Sequence, residues 1–270
     1  MLKTLYFSLK RVLLPGFKLD IEKDTYDNRD VTVKLIDSSA RKIDMSKYCP
    51  LIKHQGRSGS CGSHAGVTWF EMMMKMKGIT LLDEDPLFEG LGFSEFFHYY
   101  YARVMRGSFP QDSGQSVRDI FKTMKNYGNC PEMLHRKKWS NMNVKPDIDA
   151  EKWAKTIMNW WQLLTYEKIS NAEELKNVLL NNRPAVLGVY CRPNFMKLQN
   201  YIGRIIGDEG GIKKGGHAIL IVGFDKNKGF LVHNSWGTQW KDYGYCWLSK
   251  GYIDKNWIDC WTGTIKIKNL

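Results

Sequence analysis

A cysteine at the start of a predicted helix is the residue of this 270-residue chain most suited to chemistry. Cys61 follows the turn Gln55-Gly-Arg-Ser-Gly-Ser, whose glycines permit a tight backbone path. Helix formers continue to Gly78, so the thiol lies at the positive end of a helix dipole, which lowers its pKa. The Gln55 amide and the Cys61 N–H can then stabilise an oxyanion. Taken alone, the segment also fits a buried structural cysteine.

Two later segments supply the partners that a nucleophilic thiol needs. His217 begins an apolar run that predicts a buried strand, and a second predicted strand from Phe230 ends at Asn234. If these strands pair, the imidazole and the carboxamide meet at one edge of the sheet. His217 then serves as the base for Cys61, and Asn234 fixes the orientation of its ring. His64, one helical turn after Cys61, is interpreted as a structural residue.

These segments resemble the papain-like cysteine peptidases. The family signature around the nucleophile matches residues 58–62, and its histidine and asparagine match His217 and the Asn-Ser-Trp-Gly segment at 234–237. The interval from Cys61 to His217 is slightly longer than the family's usual range of about 130–150 residues, which implies modest insertions.

Within this family, the chain most resembles the xylellain-like branch. The resemblance rests on residues 43–55, 112–119 and 127–132 and extends over roughly 41–265. It implies an α+β, papain-like fold, in which a mainly helical lobe and a β-rich lobe enclose the active-site cleft. Residues 41–270 are then the catalytic domain, which contains both lobes.

Residues 1–40 are predicted to be an N-terminal extension, too short for the helical prodomain of many papain-like enzymes. The segments 16–20 and 27–30 resemble the short leader of xylellain-like proteins, which lies across the cleft. A leader in that place competes with substrate. The alternative is a leader that packs on the back of the β lobe and stabilises the fold.

The resemblance also implies a set of site residues. The catalytic group is Cys61, His217, Asn234 and Gln55. The expected substrate-binding residues are Ser113, Gly114, Gly215, Gly216, Ala218, Trp236, Trp240 and Asp259. Ser113 and Gly114 would pair with an extended peptide as a short strand. The three small residues around the histidine would border the pocket for the residue two before the cleaved bond. The tryptophans lie on the leaving-group side.

Asp259 is the least constrained of these assignments. Relatives place the floor of that pocket near this position, and a carboxylate there would favour a basic side chain in the substrate. The alternative is an aspartate on an exposed loop, since the alignment can slip by one or two residues.

Two residues depart from the family pattern near the nucleophile. Ser58 replaces a cysteine that in many relatives forms a disulfide, so that bridge cannot form here. Gly62 replaces the bulky aromatic residue that usually follows the nucleophile. This second change is expected to widen the cleft or to soften the start of the helix.

Composition restricts the partners of the chain. Forty basic and twenty-eight acidic residues give a net charge of +12, which favours acidic partners in general. Because the lysines are spread along the sequence, specific nucleic-acid binding is not expected. The six cysteines include no CxxC pair, so a structural zinc site is not expected. The thiol chemistry itself calls for no metal or organic cofactor. Reduced thiols, and the lack of an evident signal peptide or membrane segment, predict a cytoplasmic protein.

Local patterns predict the elements that position the site. Helices are expected from Cys61 to Gly78, over 92–105 with Ser94 as N-cap, and over 116–127. A capping box that begins at Ser170 predicts a further helix. Residues 140–149 are interpreted as a connection, and 261–268 as an edge strand.

The sequence therefore predicts a cysteine endopeptidase that acts on polypeptides through a thioester intermediate. One alternative keeps the same thiol chemistry but transfers the acyl group to an amine or cleaves a non-protein amide. Another is a catalytically idle peptide-binding or structural protein of the same fold.

Overall fold

Helices dominate the first half of the structure and strands the second. This computed structural model describes residues 17–35, 40–79, 92–136, 142–197, 205–208 and 210–267. The helices there are α1 (Cys61–Met76), α2 (Glu95–Arg106), α3 (Val117–Tyr127), α4 (Ile148–Trp160), α5 (Ala172–Leu180), α6 (Pro193–Met196) and α7 (Lys250–Asn256). Within these ranges, no helix is both long and apolar enough to cross a membrane.

The strands of the described chain form one sheet. They are β1 (Lys42–Asp44), β2 (Trp161–Ile169), β3 (Ala185–Tyr190), β4 (Ile205–Ile206), β5 (Gly216–Asp225), β6 (Gly229–His233), β7 (Tyr245–Leu248) and β8 (Trp257–Ile267). The strand order is β2-β8-β3-β5-β6-β7-β4, and β1 also pairs with β5. Every pairing is antiparallel except that of β4 with β7. The expected α+β fold with a helical and a β-rich part is confirmed.

Capping side chains set the starts of the helices. The Ser94 hydroxyl accepts a hydrogen bond from the N–H of Phe97 at 3.0 Å, as expected for the N-cap of α2. Ser116 caps α3 in the same way at 3.2 Å. The start of α5 was assigned one residue too early, because the carboxamide of Asn171 rather than Ser170 accepts from the first helical N–H groups.

Two expectations about the second half were wrong. The last strand, β8, is not at the edge of the sheet, since it lies between β2 and β3. Its outer neighbour β2 follows α4, and α4 begins within the segment expected to be a connection. The Asp147 carboxylate starts α4 by accepting a hydrogen bond from the N–H of Ala150 at 2.8 Å.

Residues 31–33 of the predicted leader lie on the open side of β2. The N–H of Val33 donates to the carbonyl of Lys168 at 3.0 Å, and the N–H of Lys168 donates to the carbonyl of Val31 at 2.7 Å. The side chain of Val33 is buried. This part of the leader therefore contributes to the fold and occupies a strand edge that would otherwise lack a partner.

None of the six cysteines is in a disulfide. Ser58, at the position of the missing bridge, donates from its hydroxyl to the carbonyl of Gln55 at 2.8 Å. A hydrogen bond thus closes the turn before Cys61 in place of a covalent link.

Helix α1 is the central element of the core. Its residues from Cys61 to Met74 are all buried, so Met72, Met73 and Met74 pack in the interior. One face packs against β5 and another against α3. The approach to α3 depends on Gly66, where an added Cβ would lie 2.2 Å from Cγ2 of Ile120.

The packing at Gly66 predicts a loss of stability in the Gly66→Ala variant. The added methyl group would force α1 and α3 apart, at a cost of about 1–3 kcal/mol in the free energy of unfolding. Gly251→Ala is the matched control, because its added Cβ meets only ordinary contact distances in α7 and alanine favours the helix by about 0.5 kcal/mol. Urea unfolding followed by circular dichroism measures both. Equal stabilities of the two variants would contradict the close approach.

Candidate active site

The turn before α1 brings Gln55 beside Cys61. Gly56 has a positive φ of 63°, a conformation that glycine adopts without strain. The Gln55 side chain accepts a hydrogen bond from the Ser235 hydroxyl at 2.8 Å and donates one to the carbonyl of Ser58 at 3.1 Å. One amide hydrogen remains, because a carboxamide carries two. Both Gln55 and Cys61 are fully buried.

His217 and Asn234 meet across paired strands. Strands β5 and β6 are antiparallel, and Nε2 of His217 lies 2.8 Å from Oδ1 of Asn234. That oxygen also accepts from the N–H of Ser235 at 2.9 Å, so the carboxamide presents its acceptor and Nε2 carries the ring proton. Nδ1 of His217 is buried and has no hydrogen-bond partner among the described residues. The neutral ring therefore has one free basic nitrogen.

The thiol of Cys61 lies against the start of β5. The N–H of Ala218, the residue after His217, donates a hydrogen bond to it, as does the N–H of Gly62. The indole of Trp236 stacks on the imidazole with ring centres 4.5 Å apart. The structure thus brings together all four residues that the sequence nominated for catalysis.

Burial keeps the thiol and the imidazole neutral in this arrangement. It raises the pKa of Cys61 to about 11 and lowers the pKa of His217 to about 4. The N–H groups of Ala218 and Gly62 oppose the rise at the thiol, but burial outweighs them. The expectation that the helix start alone would yield a low-pKa thiol is therefore wrong for the buried site.

The side chain of Gln115 occupies the space next to Gly62, the residue after Cys61. An added Cβ at Gly62 would lie 2.4 Å from Nε2 of Gln115, so this buried side chain occupies the space. Its amide donates to the Ser63 hydroxyl at 2.9 Å, and that hydroxyl lies 2.9 Å from Nδ1 of His98. The helix start is thus held by a polar network rather than softened. Sequence reasoning missed Gln115, although it lies beside the expected Ser113-Gly114 pair.

Comparison of the sequence with known proteins identifies the family of this chain. The sequence profile described as papain family cysteine protease matches residues 112–261, which include His217 and Asn234. The chain belongs to this family. An uncharacterised peptidase C1-like protein of Acanthamoeba polyphaga mimivirus is 32% identical over 176 residues, 60% of this chain and 55% of the relative. Cathepsin O of Homo sapiens is 33% identical over 89 residues, 32% of this chain and 26% of that protein.

The matched part thus spans about half the length of the viral relative and about a quarter of cathepsin O. Among solved structures, xylellain from Xylella fastidiosa superposes with a TM-score of 0.76 at 24% identity, over 95% of this chain and 98% of the other. The bromelain protease of Ananas comosus, in complex with the E64 inhibitor, superposes with a TM-score of 0.62 at 20% identity, over 83% and 99%. These likenesses show the papain-like fold.

The leader of this papain-family chain lies between the two walls of the cleft. On the β side, the N–H of Ile21 donates to the carbonyl of Gly216 at 3.1 Å. On the helical side, a Cβ at Gly114 would lie 1.6 Å from the carbonyl oxygen of Asp20. Gly114 and Gly216 are two of the residues expected to bind substrate, and the leader is in direct contact with both.

Side chains of the leader alternate between the two walls, as in an extended strand. The odd-numbered residues face the β wall. Phe17 stacks on Trp236 with ring centres 4.6 Å apart, and Leu19 lies against Gly215. Ile21 is buried in the pocket that follows.

The even-numbered leader residues face the helical wall. Lys18 forms an ion pair with Asp112 at 3.7 Å, and Glu22 forms one with Arg106 at 2.6 Å. The basic and the acidic side chain of the leader thus each face a wall residue of opposite charge.

Ile258, and not Asp259, borders the pocket that receives Ile21. A Cβ at Gly188 would lie 3.0 Å from Ile21, 3.2 Å from Val117 and 3.4 Å from Ile258. Asp259 pairs with Gly188 next to a bulge in β8, and its carboxylate binds Asp24, farther along the leader, rather than Ile21. The pocket wall is apolar.

Asp259 is also not on an exposed loop. It is 2% exposed, accepts from the N–H of Asp24 at 3.0 Å and lies 3.6 Å from Nζ of Lys168. The Asp24 carboxylate accepts from the indole N–H of Trp261 at 2.7 Å. Burial raises the pKa of Asp24 to about 7, and the charge of Asp259 adds to the rise.

Of the other residues expected to bind substrate, Ser113 lies at the edge of the cleft and Trp240 lies in the interior. The carbonyl of Ser113 accepts from the Tyr99 hydroxyl at 2.9 Å, which fixes this edge of the cleft. Trp240 is fully buried, and its indole N–H donates to the carbonyl of Phe195 at 3.1 Å. It packs edge-on against Trp236 at 5.6 Å and so supports that ring from behind.

The raised pKa of Cys61 predicts slow alkylation by iodoacetamide at neutral pH in the full chain. Because the thiolate is the reactive form, the rate should rise about tenfold per pH unit between roughly pH 8 and 10. Mass spectrometry of the peptide that contains Cys61 measures this rate. Cys49, whose pKa burial raises to about 12, is the internal comparison and should lag behind. A Cys61 rate that is already maximal at pH 6 would contradict the buried neutral thiol.

Proposed function

We propose that this chain is a cysteine endopeptidase whose nucleophile is Cys61. One observation carries the proposal. Nδ1 of His217 is buried and has no hydrogen-bond partner among the described residues, the N–H of the next residue, Ala218, donates to the thiol of Cys61, and Asn234 holds the opposite nitrogen of the ring. An imidazole oriented in this way can accept the thiol proton and later donate it.

In the first half of the reaction, the proton of the thiol moves to Nδ1 of His217. The sulfur of Cys61 then attacks the carbon of the peptide carbonyl, and the π electrons of the C=O bond move to the carbonyl oxygen. The free amide hydrogen of Gln55 and the N–H of Cys61 stabilise that oxyanion. As the carbonyl re-forms, the C–N bond breaks and the amine leaves with the proton of His217. A thioester between Cys61 and the acyl group remains.

Water completes the cycle from the side that the amine has left. His217 takes a proton from the water as its oxygen attacks the thioester. Collapse of the second oxyanion breaks the C–S bond, the peptide acid leaves, and the thiol of Cys61 is restored. Asn234 holds the ring throughout, and the indole of Trp236 shields the contact between His217 and Asn234 from solvent.

Catalysis of this kind predicts a graded loss of activity across three substitutions. Cys61→Ala should abolish hydrolysis of a fluorogenic peptide, and His217→Ala should be nearly as severe, since it removes the only proton carrier. Asn234→Ala should retain measurable activity, because it removes orientation but not the base. Cys49→Ala, which removes a half-buried thiol elsewhere, is the control and should remain active. Full activity of Cys61→Ala with an unchanged melting temperature would end the peptidase proposal.

We also propose that the leader competes with substrate for the cleft. The support is its direct contact with Gly114, Gly216 and Trp236, together with the burial of Phe17 and Ile21. A tethered segment acts at an effective concentration of about millimolar order, so weak contacts suffice to exclude substrate.

The competing leader predicts that Ile21→Glu activates the enzyme. A carboxylate cannot remain in the apolar pocket without a large desolvation cost, so the leader should leave the cleft. The apparent KM for a peptide should fall several-fold while kcat changes little. Val31→Glu is the matched control, because Val31 lies in the same leader with a side chain that is 58% exposed. If Ile21→Glu melts earlier and cleaves no faster, the leader is a stabilising element only.

A further inference from the structure

The helical wall of the cleft has a carboxylate with one oxygen held by the protein. Oδ1 of Asp112 accepts from the N–H of Gly59 at 2.9 Å and from the Tyr99 hydroxyl at 2.5 Å. The other oxygen, Oδ2, lies 3.7 Å from Nζ of Lys18 in the leader. The side chain is about a quarter exposed, so this second oxygen lies at the surface of the cleft.

The surrounding residues fix the direction of this carboxylate. The buried guanidinium of Arg103 lies over the Tyr99 ring at 4.1 Å and donates to the carbonyl groups of Pro110 and Gln111, just before Asp112. The loop and the hydroxyl that position Asp112 are therefore tied to the same cation. Little side-chain freedom is left to lose when a ligand pairs with Oδ2.

The location of Asp112 relates it to one residue of a substrate. Gly59 lies in the turn that ends at Cys61, and its N–H is the donor that holds Oδ1 of Asp112. Asp112 directly precedes the Ser113-Gly114 edge expected to bind the acyl part of a peptide. The carboxylate thus flanks the position of the residue whose carbonyl meets the thiol.

The leader shows what this position accepts. Phe17 lies on Trp236, next to the histidine that protonates the leaving amine, and Ile21 lies in the apolar pocket on the acyl side. Lys18 lies between these two contacts and points to the helical wall. Asp20, 3.1 Å from Nζ of Lys18, is the only other carboxylate paired with it among the described residues.

We propose that Asp112 selects peptides with lysine or arginine at the residue that supplies the cleaved carbonyl. This inference rests on the proposed peptidase function and names its substrate class. When the leader leaves, Lys18 leaves with it, and Oδ2 of Asp112 lacks a counter-charge until a basic side chain of the substrate replaces it.

The net charge of the chain acts against basic substrates at long range. A charge of +12 repels a basic peptide, but this field is screened over about 8–10 Å at physiological ionic strength. A contact at ion-pair distance is screened much less. For a partly exposed pair, we expect a preference of about fivefold in kcat/KM.

The test compares two fluorogenic peptides that differ only at this residue, one with arginine and the other with citrulline, its neutral counterpart of similar shape. Wild-type enzyme should cleave the arginine peptide about fivefold better in kcat/KM. In Asp112→Asn, the preference should vanish through slower cleavage of the arginine peptide alone. Asparagine retains an acceptor for Gly59 and Tyr99, so cleavage of the citrulline peptide should not change.

Asp119→Asn is the matched control, because it removes a carboxylate farther along the same wall, 3.6 Å from Arg106. It should retain the preference. Equal losses on both peptides in Asp112→Asn would show a structural role and overturn the inference. Equal cleavage of both peptides by the wild type would overturn it while leaving the peptidase function intact. Cleavage of neither peptide, by wild type or by Ile21→Glu, would overturn the proposed function and this inference together.

Discussion

One buried contact, between the start of α1 and the start of β5, is the constraint on which the rest of the structure depends. The thiol of Cys61 belongs to the helix, and the N–H of Ala218 that binds it belongs to the sheet. Any shift of the helical part against the sheet would separate the thiol of Cys61 from His217, the residue before Ala218. The close approach at Gly66 and the Gln115 network at Gly62 therefore both serve to fix this one distance.

Burial of this contact also lowers the reactivity of the Cys61 thiol. Both groups are fully buried, and burial makes their charged forms unfavourable. Under the proposed function, a thiolate–imidazolium pair costs more here than in an open cleft, and a leader that covers the site would oppose catalysis in two ways. It would occupy the substrate contacts, and it would also keep the proton on sulfur. The first effect depends on side chains such as Ile21, whereas the second depends on the exclusion of solvent.

Features encoded within a few residues were predictable from the sequence, and those encoded across the chain were not. Ser94 and Ser116 cap their helices because the acceptor and the donor lie three residues apart. His217 and Asn234 could be paired because their strands adjoin in sequence. In contrast, Gln115 fills the space at Gly62 through a contact between distant segments. The place of Asp259 has a related cause, since its carboxylate is held by the N–H of Asp24, which lies 235 residues earlier in the chain.

The absence of disulfides has a consequence for the conditions that the protein tolerates. A thiol nucleophile must be kept from oxidation, and the reductants that do so also attack structural disulfides. A disulfide beside the thiol would bring these two requirements into conflict. Here the Ser58 hydroxyl closes the same turn by a hydrogen bond to Gln55, and all six cysteines are free thiols. Redox potential can therefore govern the nucleophile without acting on the scaffold that holds it.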